Sequence, residues 1–178
     1  LCRTGKLLCL DHENIKADIL ILGKALSGGM MPVSAVLAND DIMLTIKPGE
    51  HGSTYGGNPL AAVVAITSLQ VLLDESLAEN ATIMGALLRE ELNKAASPIV
   101  SIVRGKGLLN AIVITHPDKE AAWKICMQMK EYGLLAKPTH GDKIRFAPPL
   151  IINKEQILEA ADIINRSLST FEKVKMAS

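Results

Sequence analysis

Neither charge is in excess in this sequence. Its 178 residues carry 19 lysines and arginines against 19 aspartates and glutamates, a formal net charge of +0. No basic tail or cluster stands out, which argues against nucleic acid or an anionic membrane as the main partner. Cysteines are few and odd in number: Cys2, Cys9 and Cys126. With no Cys-x-x-Cys pair and no metal-ligand spacing, they read as free thiols in a reducing compartment. His12, His51, His116 and His140 are scattered, which argues against zinc, and no metal is expected. No apolar run is long enough for a membrane span. The chain opens on Leu1 without a charged region followed by an apolar one, and reads as an internal start with any targeting segment out of view.

What is present is a globular composition on the apolar side. Hydrophobic residues make up 48% and mean hydropathy is +0.24, so the chain is long enough and apolar enough to bury a core. Apolar content combined with near-zero charge also points to surface covered by a partner.

The pattern along the chain divides near residue 78. Residues 7–10 read as a strand or a sheet edge. Residues 19–22 (Ile-Leu-Ile-Leu) read as a buried strand that delivers Lys24 to a corner made by Ser27-Gly28-Gly29, and 33–38 as the next strand. Asn39-Asp40-Asp41 supplies oxygens to cap a short helix over 41–46, which Lys47-Pro48-Gly49 stops. Four glycines and a proline among residues 49–59 make that stretch a loop. Asn58 and Pro59 then suit the cap and first position of a helix to about Asp74, apolar nearly all round and so buried on several sides. Its N-terminal end could seat a phosphate.

Beyond residue 78, an amphipathic helix over 79–95 places Ile83, Met84, Leu87, Leu88 and Leu92 inward and Arg89 outward. Residues 99–103 and 108–114 read as strands, the second fully buried, joined by an Arg104-Gly105-Lys106-Gly107 turn. Residues 118–132 are helical, with Ala122, Ile125, Cys126 and Met129 on one face and Gly133 as the stop. Residues 134–136 and 143–146 read as short strands. Asn153 and Gln156 form a capping box for the last helix, whose inner face is Ile157, Ala161, Ile164, Leu168 and Phe171. The predicted class is α/β, with strands feeding a glycine loop and a buried helix in 1–78 and a small α+β domain in 79–178.

Three features could carry chemistry. Lys24, desolvated at the end of a buried strand, could supply the free amine of a Schiff base. Taken alone, it is better read as a strand-end lysine pointing to water. The loop ahead of Pro59 could cradle a phosphate, or could be a plain connector. Arg145, flanked by Ile144 and Phe146, could bind a carboxylate with its planar fork, or could pair with Asp142. Lys24 and the glycines after it are not a Walker A loop, because the spacing is wrong.

Taken together, three segments resemble the subgroup III pyridoxal-phosphate aminotransferases. They are Leu22-Gly23-Lys24-Ala25-Leu26-Ser27-Gly28-Gly29, Gly49-Glu50-His51-Gly52-Ser53-Thr54-Tyr55-Gly56-Gly57-Asn58-Pro59 and Ile144-Arg145-Phe146-Ala147-Pro148-Pro149-Leu150. Arg104-Gly105-Lys106-Gly107-Leu108-Leu109 and Lys137-Pro138-Thr139-His140-Gly141 fit the same family. The resemblance runs in order over almost the whole chain.

That resemblance implies the C-terminal part of a fold type I transferase: the end of the large cofactor domain, then the small C-terminal domain. It implies pyridoxal 5'-phosphate as cofactor, with Lys24 as the lysine that holds it and then moves the proton. It makes Thr54, and with it Ser53, the contact to the cofactor phosphate of a neighbouring subunit, hence a homodimer or higher homo-oligomer. It makes Arg145 the partner of the α-carboxylate of 2-oxoglutarate or glutamate. The implied reaction moves the δ-amino group of ornithine to 2-oxoglutarate, with acetylornithine and 4-aminobutyrate as alternative donors, and the implied compartment is the mitochondrial matrix. The family's aspartate for the pyridine nitrogen, its ring-stacking aromatic and its own-subunit phosphate loop match no position here; Asp11 and Asp18 do not take that aspartate's place. A non-catalytic product that keeps the small domain and the dimer surface is the other reading.

Overall fold

The computed structural model describes residues 1–95 and 97–176. It divides into two compact units. The first comprises Leu1 and Leu8–Ser76, the second Cys2–Leu7 and Leu77–Ser178. Each is described by itself.

In the first unit, β1 (Ile19–Leu22) pairs antiparallel with β2 (Ala35–Ala38), Ile19 opposite Ala38 and Leu22 opposite Ala35. Strand β1 has the predicted bounds, but it is not buried: Ile19 is 52% exposed and Ile21 73%. The apolar run is real, but a two-stranded ribbon offers no layer to cover it. Residues 7–10 form no strand; Cys9–His12 is a turn of 3-10 helix. Helix α1 (Asp40–Met43) is shorter than the sequence suggests, and the Asn39 side chain makes no capping hydrogen bond.

Helix α2 (Pro59–Asp74) begins as its sequence dictates. Asn58 Oδ1 accepts from Ala61 N at 3.1 Å, and Pro59, with no N–H to lose, takes the first position. Its burial departs from expectation. Only Ala61 and Ala65 are buried, while Leu60, Val63, Ile66 and Leu73 are each about 60% exposed.

The second unit holds the main core. A two-residue turn, Gly107–Leu108, joins β3 (Val100–Lys106) to β4 (Leu109–Ile114), with Lys106 opposite Leu109. Strand β3 therefore runs through the residues predicted as a turn. Strand β4 is not fully buried; it alternates, with Asn110, Ile112 and Ile114 inward. β6 (Lys143–Phe146) pairs with β4 and with β5 (Lys137–Thr139), giving an antiparallel sheet in the order β3-β4-β6-β5. The strand predicted at 134–136 lies instead at Lys137–Thr139.

Helices α3 (Leu77–Lys94) and α4 (Ala121–Glu131) pack on this sheet, and α5 (Lys154–Met176) packs on α3 and α4. Leu88, Ile112, Ile125, Met129, Ile144, Ile157 and Ile164 are almost wholly buried in one cluster. The α4 face is the predicted one, and Gly133 ends that helix in the left-handed region at φ 93. Asn153 and Gln156 cap α5 reciprocally: Asn153 N donates to Gln156 Oε1 at 3.1 Å, and Gln156 N donates to Asn153 Oδ1 at 2.9 Å. The α3 face is the predicted one but for Ile83: Leu88 and Leu92 are buried, and Met84 and Leu87 pack against the core. Ile83 is 53% exposed, while Ala81 and Gly85 are buried. Among the described residues no single helix is long and apolar enough to cross a membrane.

Candidate active site

Lys24 follows β1 and opens a single 3-10 turn, Lys24–Ser27. Its backbone is left-handed, at φ 52. A lysine has neither the missing Cβ of glycine nor the short polar side chain of asparagine that makes this region accessible, so the conformation costs about 1–2 kcal/mol and the surrounding chain must hold it. The packing of the turn shows how. Leu26 and Ser27 are buried. Ser27 Oγ donates to Met31 O and accepts from Met31 N at 3.2 Å. A Cβ on Gly28, at φ +64, would stand 3.1 Å from Ser68 Oγ on α2. The turn packs on α2, where Ala61, Ala65 and Ser68, spaced i, i+4, i+7, make a flat small-residue stripe. One side of the Lys24 turn is anchored while Lys24 itself is exposed and makes no hydrogen bond among the described residues. The desolvation expected at this position is therefore not supplied by this chain.

The 49–58 loop is a connector with some order of its own. Ser53 O accepts from Gly56 N at 3.2 Å, and Tyr55 O accepts from Asn58 N at 3.2 Å. Both Ser53 and Thr54 are exposed. The N-terminal end of α2 offers an anion less than its sequence suggests. Pro59 has no N–H, Ala61 N is taken by Asn58 Oδ1, and Ala62 N by Asn58 O at 3.0 Å. Leu60 N and the loop's own hydroxyl and N–H groups remain to meet an anion here.

Arg145 belongs to the second unit, on β6, opposite Ala111 of β4 and Lys137 of β5. Its neighbours Ile144 and Phe146 are buried in the core, so the period of two puts Arg145 on the other face, exposed. Arg145 thus lies outside the apolar surroundings that its sequence neighbours suggest. The ion pair with Asp142 also fails, because Asp142 is engaged by Lys143 Nζ at 2.5 Å. Arg145 has no ion pair among the described residues. It lines an open groove of about 670 Å³ with Phe146, Pro148, Ile152, Gln156 and Ile163. An exposed guanidinium without a counter-ion, beside a groove, is suited to a ligand carboxylate.

The structure thus places Lys24, Ser53 and Thr54 in one unit and Arg145 in the other, each with its polar group unengaged. By donor type alone, an amine could hold an aldehyde and a hydroxyl could hold a phosphate, the two reactive ends of a pyridoxal-type cofactor. Among the described residues no cluster of histidine, cysteine, aspartate or glutamate could hold a metal ion. Sequence reasoning also missed one buried polar network. Arg89, predicted to face water, donates to Gly107 O at 3.1 Å and to the buried Asn110 Oδ1 at 2.7 Å, and desolvation lowers its pKa. The available signal was the glycine-rich turn, whose bare backbone lets α3 come close.

Comparison with known proteins decides the family. The aminotransferase class-III model matches residues 1–168. The chain belongs to the class III aminotransferases. Its relatives include a protein named ornithine aminotransferase, mitochondrial, from Rattus norvegicus, 62% identical over 96% of this chain and 39% of the rat protein. The Drosophila melanogaster protein of the same name is 65% identical over 94% of this chain and 38% of its own length. This class III chain therefore spans about two fifths of the relatives it matches. Among solved structures, ornithine aminotransferase from Toxoplasma gondii, described with partial occupancy of PLP at its active site, superposes with a TM-score of 0.92 at 44% identity, over 98% of this chain and 42% of that one. Acetylornithine aminotransferase from Elizabethkingia anophelis does so with a TM-score of 0.90 at 56% identity, over 95% and 43%. The fold matches a portion of fold type I.

Proposed function

We propose that this chain is the C-terminal part of an ornithine aminotransferase, its first unit being the end of the large cofactor domain and its second the small domain. The observation that carries the reading is Lys24: an exposed, unpartnered amine held in a left-handed turn at the end of β1, in a chain 62% identical to the rat ornithine aminotransferase. Pyridoxal phosphate, when bound, supplies the electron sink for the transfer. Lys24 Nζ would hold the cofactor's aldehyde end and would be the group that carries the proton. Thr54, assisted by Ser53, gives its hydroxyl to the cofactor phosphate of a second subunit, so the complete site belongs to a homodimer. Arg145 fixes the α-carboxylate of 2-oxoglutarate or glutamate through a bidentate contact. The donor is ornithine, through its δ-amino group. The relatives named mitochondrial support the matrix as compartment.

The groups that would meet the pyridine nitrogen and the ring face match no residue of this chain, so the chain by itself is expected to bind cofactor weakly and to turn over little or nothing. The test adds pyridoxal phosphate to the purified chain and to a full-length protein carrying it, followed by borohydride reduction and peptide mapping. Label on Lys24, lost in Lys24→Ala, supports the assignment; label elsewhere defeats it. Ornithine-dependent turnover by the chain alone overturns the expectation of inactivity. The identity with acetylornithine aminotransferase supports a second reading, which a comparison of ornithine with acetylornithine as donors for the full-length protein separates.

A further inference from the structure

Leaving β6, the chain has few means of being held. Pro148 and Pro149 carry no N–H, so the segment after Phe146 cannot extend the ladder with β4. What it can offer is carbonyls, and two side chains of the same unit take them. Arg3 Nη1 donates to Pro148 O and also to Leu108 O at 3.3 Å. Asn80 Nδ2 donates to Leu150 O at 2.6 Å and to Ile152 O at 3.0 Å.

Arg3 is itself tied down. Its carbonyl accepts from Leu108 N at 2.9 Å, so backbone and side chain both grip the residue that leads into β4. The approach is close. A Cβ on Gly107, at φ +52, would lie 2.5 Å from Thr4 C and 2.7 Å from Arg3 O. Strand β4 is the one against which Arg145 is registered, through Ala111. Arg3 therefore joins the entry of β4 to a point three residues past Arg145, the two stretches that set where β6 lies and how it leaves the sheet. A single nitrogen, Nη1, serves both carbonyls, and the length of the arginine side chain brings it to them from a half-buried position.

We propose that Arg3 is a positioning residue for the carboxylate site at Arg145: by bridging Leu108 and Pro148 it fixes the exit of β6 and the direction in which Arg145 presents its guanidinium. This rests on the reading of Arg145 as the carboxylate-binding residue. A misdirected fork loses one of its two hydrogen bonds to the carboxylate while the other chemistry is untouched, so the cost falls on acceptor binding.

The experiment uses the full-length holoenzyme and four forms beside the parent: Arg3→Lys, Arg3→Gln, Arg145→Ala, and Arg3→Lys combined with Arg145→Ala. Arg3→Gln is expected to raise KM for 2-oxoglutarate roughly tenfold, the size of one lost hydrogen bond to a charged group. Arg3→Lys, which keeps the cation but not the planar head or its reach, gives a smaller rise and carries the test should the glutamine form not fold. In both, kcat and KM for the amino donor stay within about twofold. In the Arg145→Ala background Arg3→Lys adds nothing further, because it acts through the group already removed. A lowered melting temperature with KM for 2-oxoglutarate unchanged overturns the proposal, as does an effect that multiplies with that of Arg145→Ala. If Arg145→Ala itself leaves that KM unchanged, the reading of Arg145 fails first, and the proposal with it.

Discussion

Gly85 of α3 lies so close to Gly107 that a Cβ built on it would stand 1.7 Å from the Gly107 carbonyl oxygen and 2.3 Å from its carbonyl carbon. Helix α3 is thus docked directly on the backbone of the β3–β4 turn. Gly85→Ala is expected to destabilise the second unit by about 3 kcal/mol or more, since backbone rather than a movable side chain must give way. Gly133, also left-handed at φ 93 but with nothing within 4 Å of its Cβ position, is the contrast. Gly133→Ala is expected to cost about 1–2 kcal/mol from the dihedral alone. Urea midpoints for the two variants check the order.

Arg89 and Asn110 form the next dependency. Asn110 is 1% exposed; its Nδ2 donates to Gly107 O at 3.1 Å, while its Oδ1 accepts from Arg89 at 2.7 Å. Arg89→Met leaves that buried oxygen without its donor and is expected to cost about 2 kcal/mol. The double variant Arg89→Met with Asn110→Leu is expected to cost less than the sum of the two single changes, because the orphaned acceptor goes too. Strict additivity in chemical denaturation defeats this account.

The three cysteines separate by environment. Cys9 is exposed, and Cys2 and Cys126 are buried. Burial raises the pKa of Cys2 and pushes that of Cys126 up to about 11. At pH 8 the Cys126 thiol is therefore protonated as well as hidden, and the thiolate is the reactive form. Titration of the folded chain with a thiol reagent is expected to give one fast reaction, mapped to Cys9, with the other two thiols appearing in denaturant.

On the acid side, Asp142 marks a small pH dependence. Its hydrogen bond from Lys143 lowers its pKa below the ordinary 3.8. A folded-state pKa below the unfolded one stabilises above the unfolded value, and that contribution is lost as pH falls through the folded one. The pair is solvent-exposed, so the effect is modest. Melting curves of the parent and Asp142→Asn are expected to differ most above about pH 4 and to converge near pH 2. A gap that widens on acidification contradicts the sign.

These dependencies show where the sequence was readable. The capping box at Asn153 and Gln156, the Asn58 cap with Pro59 after it, and the α4 face were legible because each is set by residues within one or two turns of one another. The burial of β1 and α2 was misread for the opposite reason. Hydrophobicity marks a surface as fit to be covered but does not supply the cover, and Ile21 and Ile66 stay open in this chain.

By itself the sequence determined most of the elements, the caps at Asn58 and Asn153, and the family, because short-range chemistry and ordered motifs carry those. The tertiary structure alone decided which residues act at a distance. Arg3 meets Pro148 across 145 positions and Asn80 meets Ile152 across 72, contacts that no periodicity encodes. It also decided the state of the candidate groups. Lys24 emerged exposed, the simpler of the two readings of a strand-end lysine, and left-handed, which no pattern signalled; Arg145 emerged exposed rather than paired with Asp142. Side-chain exposure depends on which layers pack against a strand, and that is settled only when the whole chain has folded around it.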